Sequence, residues 1–105
     1  TWCPPCIAEV PDLEKFYSSY KDKDVVIIGV NLTKAEKDQS VIRDFVKSYG
    51  ITYPVPLDIE SSVSGVYQVS AIPTSYVIDS RGIISEKVVG PMDFETMKNI
   101  FSGIK

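Results

Sequence analysis

Val25-Val26-Ile27-Ile28-Gly29-Val30 is a continuous apolar run, preceded by the charged stretch Lys21-Asp22-Lys23-Asp24. It is short and rich in β-branched residues, so it reads as a strand. An apolar residue at nearly every position predicts burial on both faces, hence a central strand with parallel neighbours. Working back toward the start, Leu13, Phe16, Tyr17 and Tyr20 fall at i, i+3, i+4 and i+7. That spacing predicts a helix from about Cys6 to Tyr20, kinked by the interior Pro11. Working forward, Ser40 is a plausible N-cap for a second helix carrying Ile42, Phe45, Val46 and Tyr49, and Gly50 stops it. Tyr53 to Leu57 contains two prolines and suits a short edge strand. Ser61 to Tyr67 predicts a weak short helix. Thr74–Ile78 and Ile83–Val89 read as strands joined by the turn Asp79-Ser80-Arg81-Gly82. Phe94, Met97, Phe101 and Ile104 form the apolar stripe of a last helix, capped near Asp93. Helices alternating with a buried parallel strand and closed by a hairpin indicate an α/β fold with a mixed sheet.

The sequence has 105 residues, 44% of them hydrophobic and 24% charged, which fits one globular domain. Eleven basic residues against 14 acidic ones give a net charge of −3, without a Lys/Arg cluster. Nucleic-acid binding needs a basic footprint, so that class is excluded. No apolar run approaches the roughly 20 residues of a membrane-spanning helix. Histidine is absent, which excludes Ser-His and Cys-His couples and any imidazole-bound metal.

The two cysteines, Cys3 and Cys6, are separated by Pro4 and Pro5. A bridge across so short a loop restrains little chain entropy, so the pair reads as reactive rather than as a staple. Zinc would require two further ligands that this sequence does not offer. At the opening of a helix, unpaired N–H groups and the positive dipole end stabilise a thiolate. Cys3 is therefore expected to be the exposed nucleophile, and Cys6, one turn on, the buried resolving thiol. Pro4 and Pro5 carry no N–H, which removes two potential donors to a Cys3 thiolate and favours a reductant over a strong oxidant.

Trp2-Cys3-Pro4-Pro5-Cys6 resembles the active site of the thioredoxin superfamily, and more narrowly that of the TlpA/ResA-like bacterial thiol-disulfide oxidoreductases. The likeness extends through Glu9 and Pro11, Ser48-Tyr49-Gly50-Ile51, Pro54-Val55-Pro56-Leu57-Asp58, Tyr67-Gln68-Val69-Ser70, Ile72-Pro73-Thr74 and Gly90-Pro91-Met92. It implies a thioredoxin-like mixed sheet flanked by helices, with residues 45–70 resembling the group's helix-and-strand insert. It also implies a strand before the Cys-x-x-Cys helix, lying between Val25–Val30 and Thr74–Ile78. Residues 1–105 are thus expected to be one thioredoxin-like domain, N-terminally incomplete.

The resemblance implies catalysis by Cys3, Cys6 and Glu9, the last exchanging a proton with Cys6 if buried; an ordinary solvated glutamate is the other reading. It implies substrate contacts from Trp2, Pro4, Pro5, Ile72, Pro73 and Thr74, with Pro73 cis and packed against the cysteines. From residues alone, a proline at a strand's start is usually trans. Trp2 is expected to pack over the cysteines or to enter the core, and Tyr49, Tyr53 and Tyr67 to be core or rim. No cofactor or metal is implied beyond the Cys3–Cys6 disulfide. The implied partners are a client protein with a disulfide or cysteine pair and an upstream thiol-reducing membrane protein. The implied setting is extracytoplasmic, anchored through an N-terminal segment outside this sequence, in cytochrome c maturation or a related reducing pathway. A thiol peroxidase of the peroxiredoxin branch, a copper-handling domain and a non-catalytic binding domain are the competing readings.

Overall fold

Proline at the first two helical positions costs nothing, because those N–H groups have no partner inside the helix. Helix α1 accordingly starts at Pro4, earlier than the apolar spacing predicts, and runs to Tyr20. The computed structural model of the protein describes residues 1–104. Pro11 does not break α1; it lies on an exposed face of the helix. The further elements are α2 (Gln39–Ser48), α3 (Ser62–Val66), β1 (Thr74–Ile78), β2 (Ile84–Val89) and α4 (Phe94–Gly103). Single 3-10 turns occupy Lys21–Lys23 and Thr33–Ala35. The cap of α2 is Asp38 rather than Ser40, its carboxylate accepting from the Ser40 and Val41 amides. Aspartate offers a charged acceptor to the same orphan donors that a serine hydroxyl would serve. Asp93 caps α4 as expected, accepting from the Thr96 N–H at 2.8 Å.

Strands β1 and β2 form an antiparallel hairpin with Thr74 opposite Val89, and with a bulge between Val77 and Ile78. In the turn, Asp79 accepts from the Arg81 and Ile83 amides, and Gly82 takes a φ of 81° that favours glycine.

The Val25–Val30 run departs from expectation. It runs parallel to residues 54–58, with Gly29 and Asn31 donating to the carbonyls of Pro54 and Pro56, both at 2.9 Å. The Asp58 N–H donates back to the Asn31 carbonyl at 2.9 Å, but Pro54 and Pro56 can only accept, so the pairing goes no further than an isolated bridge. Burial is one-sided. Val25 and Ile27 pack on the core, whereas Val26 is 72% and Ile28 61% exposed. Among the described residues nothing covers that second face, which corrects the reading of a strand buried on both sides.

The core lies between α1 and α4. Phe16, Met92 and Met97 are its buried centre, surrounded by Leu13, Tyr20, Val25, Ile27, Val88, Phe94, Ile100 and Phe101. The predicted stripes of both helices therefore face each other, except that Tyr17 turns toward Tyr53 instead. Tyr53 is buried, and its ring lies against Gly29. A Cβ built on Gly29 would stand 2.7 Å from Cε1 of Tyr53, closer than atoms pack. Gly29→Ala is expected to destabilise the fold by ~1–3 kcal/mol in urea unfolding. In a Tyr53→Leu background the same change should cost much less. Equal costs in both backgrounds would disconnect the glycine from the ring.

Candidate active site

Cys3 is the N-cap of α1, with extended backbone (φ −85°, ψ 111°), and its carbonyl takes the first helical bond from the Ile7 N–H at 2.9 Å. Pro4 and Pro5 occupy the next two positions, so the Cys6 amide is the first in the helix that can donate. It donates to the Cys3 Sγ at 3.4 Å. The two cysteines form a disulfide, with Cα atoms 5.2 Å apart. Exposure in this oxidised state is the reverse of the expected order: Cys3 is buried, and Cys6 is half-buried. The cap position tucks the Cys3 sulfur toward the 72–73 loop, where it lies 4.0 Å from the Ile72 carbonyl oxygen.

The Ile72–Pro73 peptide bond is cis, as the resemblance implied. Ile72, Pro73 and Thr74 are half-buried beside the disulfide, and the Thr74 hydroxyl donates to the Ala71 carbonyl. The Pro73 carbonyl accepts from the Gly90 N–H at 2.8 Å. Gly90 holds a φ of 107°, a conformation that favours glycine. Two residues on, the Met92 amide donates to Oε2 of Glu9 at 2.6 Å.

Glu9 is 6% exposed, which disposes of the solvated-surface reading. Burial pushes its carboxyl above the ordinary glutamate value of 4.5, and the Met92 bond offsets part of that rise. The folded state therefore binds this proton more tightly than the unfolded chain does. Its contribution to stability is full below pH 4.5 and is lost as pH rises through the folded value. Glu9→Gln is expected to flatten that segment of the stability–pH curve in urea unfolding. An unchanged curve would place the carboxylate in water.

The Glu9 charge is also felt by Tyr53. Burial, together with the Glu14 and Glu9 charges, pushes its phenol to about 12, so it stays neutral and is no general acid at physiological pH. Glu14 ties α1 to the loop before residue 53 by accepting from the Thr52 amide (2.8 Å) and hydroxyl (2.7 Å). Trp2 is 57% exposed and belongs to the surface flanking the pair, not to the core. Pro4 and Pro5 are exposed as well, so the rim around the disulfide is apolar. Sequence reasoning placed Cys3, Cys6, Glu9 and the 72–74 loop in one region, and the structure joins them. It missed the use of the Met92 amide, which carries no residue-type signal because any non-proline backbone could supply it. Among the described residues no group of three His, Cys, Asp or Glu side chains could hold a metal ion.

Three comparisons with known proteins bear on this site. The chain matches the AhpC/TSA family over residues 1–87. It is 36% identical to sporulation thiol-disulfide oxidoreductase A of Bacillus subtilis, covering 93% of this chain and 59% of that protein. It is 35% identical to the thiol-disulfide oxidoreductase ResA of Bacillus cereus, covering 99% of this chain and 58% of that one. The chain thus spans less than two thirds of the length of these curated relatives. The crystal structure of StoA from Bacillus subtilis superimposes with a TM-score of 0.86 at 36% identity, covering 93% of this chain and 73% of that one. The α/β fold is therefore thioredoxin-like.

Proposed function

The chain belongs to the AhpC/TSA family, and we propose from that premise that it is a thiol-disulfide oxidoreductase reducing protein disulfides at Cys3 and Cys6. The observation that carries this reading is the Cys3–Cys6 disulfide at the head of α1, with the Cys6 amide aimed at the Cys3 sulfur and the cis Ile72–Pro73 loop beside it. In the reduced enzyme the Cys3 thiolate attacks one sulfur of the client disulfide, and the other leaves as a thiolate. Cys6 then gives up its proton and attacks the Cys3 sulfur of the mixed disulfide, which releases the second client thiolate. Two electrons pass to the client, and Cys3–Cys6 is left oxidised until an external dithiol reduces it. Buried Glu9 accepts the Cys6 proton and later returns it. The cysteine pair is itself the redox group, without a cofactor. Trp2, Pro4 and Pro5 form an apolar rim for the client, and the edge at Ile72-Pro73-Thr74 receives its backbone. The relatives' names support the reaction class.

An extracytoplasmic setting, an anchor, an upstream thiol-reducing membrane protein and a client such as an apocytochrome c follow from the resemblance to the group. No helix among the described residues is long and apolar enough to cross a membrane. The thiol-peroxidase reading has less support, because a peroxidatic cysteine calls for an arginine beside it. Arg81 sits on the hairpin turn, paired with Asp79 at 3.1 Å, and Arg43 lies on the exposed face of α2. Parallel assays decide between them. Insulin reduction driven by a small dithiol, without thiol-dependent peroxide consumption, is the expected result. Peroxide turnover without insulin reduction would replace the proposal.

A further inference from the structure

Glu9 and the cysteine pair are connected twice: once along α1, and once through the Gly90-Pro91-Met92 turn. The second route is two hydrogen bonds and one looser contact. Glu9 Oε2 accepts from the Met92 N–H at 2.6 Å, the Gly90 N–H donates to the Pro73 carbonyl at 2.8 Å, and the Ile72 carbonyl lies 4.0 Å from the Cys3 Sγ. The turn itself is stiff. Pro91 fixes its own φ, Gly90 sits at φ 107°, and the Met92 side chain is buried against Phe16 and Met97. With the side chain of Met92 pinned in the core, the amide end of the turn is the part that can answer a change at Glu9.

We propose that the ionisation of Glu9 sets the position of the Ile72–Pro73 loop through the Gly90-Pro91-Met92 turn, which makes Gly90 and Met92 positioning residues for the client-facing edge. This rests on the reading of Cys3–Cys6 as the redox pair and deepens it by giving Glu9 a second task. An ionised carboxylate accepts a shorter and stronger hydrogen bond than its protonated form. The turn is therefore held when Glu9 is charged and loosened when Glu9 carries the proton taken from Cys6. Release of the loop then coincides with release of the reduced client. Other ionisable groups lie on the elements around Glu9. Tyr53 approaches from residues 53–58 and Cys6 lies on the same helix, while Glu14 is engaged with Thr52 and Asp12 accepts from the Phe94 amide at 3.2 Å. In the oxidised protein the cysteines do not titrate and Tyr53 stays neutral.

Amide chemical shifts of the oxidised protein, followed between about pH 4 and pH 8, test the coupling without turnover. Met92, Gly90 and Thr74 are expected to move with one common midpoint above that of a free glutamate. Glu9→Gln should abolish all three movements. Movement of Met92 alone, with Gly90 and Thr74 flat, would overturn the proposal. In turnover, the KM for a disulfide-bonded peptide should fall about fivefold as pH rises through that midpoint, and be flat in Glu9→Gln. Gly90→Ala meets no neighbouring atom within 4 Å but must distort the φ of 107°. It should raise KM about fivefold with less than about twofold loss of kcat. A fall in kcat at unchanged KM would equally overturn the coupling. A protein that moves the three amides together yet reduces no disulfide would remove the proposed function and keep the coupling.

Discussion

Cys3→Ser is expected to lower the reduction of a protein disulfide by at least about a thousandfold, down to the rate of the bare dithiol in solution. A serine oxygen at that position cannot attack a disulfide, and the remaining thiol, Cys6 in the first turn of α1, receives no N–H among the described residues that would stabilise its thiolate. Cys6→Ser should behave differently. It leaves the first attack intact and removes the second, so the client accumulates as a one-to-one mixed disulfide, visible on a non-reducing gel and released by added thiol. The two variants together decide which cysteine is the nucleophile, and the exposures make that a real question, since Cys6 is the more accessible of the pair in the oxidised protein. Electrostatics favours Cys3. Its sulfur is at the N-cap and receives the Cys6 N–H at 3.4 Å, the first donor that the helix can offer after two prolines. Among the described residues no N–H donates to the Cys6 sulfur. An adduct formed by Cys3→Ser, and none by Cys6→Ser, would exchange the roles.

The physics that makes parts of this protein legible is local. The stripes Leu13-Phe16-Tyr20 and Phe94-Met97-Phe101 repeat at helical spacing and meet in the core. The hairpin turn at Asp79–Gly82 and the Asp93 cap also depend on neighbours a few residues away. The start of α1 escapes apolar periodicity, which says nothing about the first turn, where Cys3 and two prolines lie. The apolar run at 25–30 misleads in another way. Its composition suits burial on both faces, but burial is decided by what packs there, and prolines 54 and 56 take two donors away from its neighbour. The bond from Met92 to Glu9 spans 83 positions in sequence. Nothing in either residue type announces it. The cis state of Pro73 is likewise open to residue reasoning, which favours trans, and is anticipated only through the family motif.

Phe16→Ala should produce the largest loss of stability of any single core change, ~3–5 kcal/mol in urea unfolding. Phe16 is 5% exposed at the centre of the α1–α4 contact. Its ring stacks on Tyr20 at 4.6 Å and meets Phe94 and Phe101 edge-on at 6.1 and 6.2 Å. Truncation removes the burial of one aromatic ring together with three aromatic contacts. Glu9 and Asp12 of α1 accept from the Met92 and Phe94 amides, so α1 and α4 cannot close the gap freely without straining those bonds. The expected loss is a large share of a small domain's total of roughly 5–15 kcal/mol. Phe16→Leu refills most of the space and should recover more than half of it. The same cluster contains Met92, whose amide holds Glu9. Loosening the core at Phe16 should therefore reach the site through Met92, shifting the Glu9 midpoint at temperatures where the variant is still folded. A loss below about 1 kcal/mol would mean that α1 and α4 are held by something other than this cluster. A full loss with the Glu9 midpoint unmoved would mean that the turn at 90–92 is fixed by the Pro73 carbonyl and the carboxylate alone, with no help from the side chain of Met92.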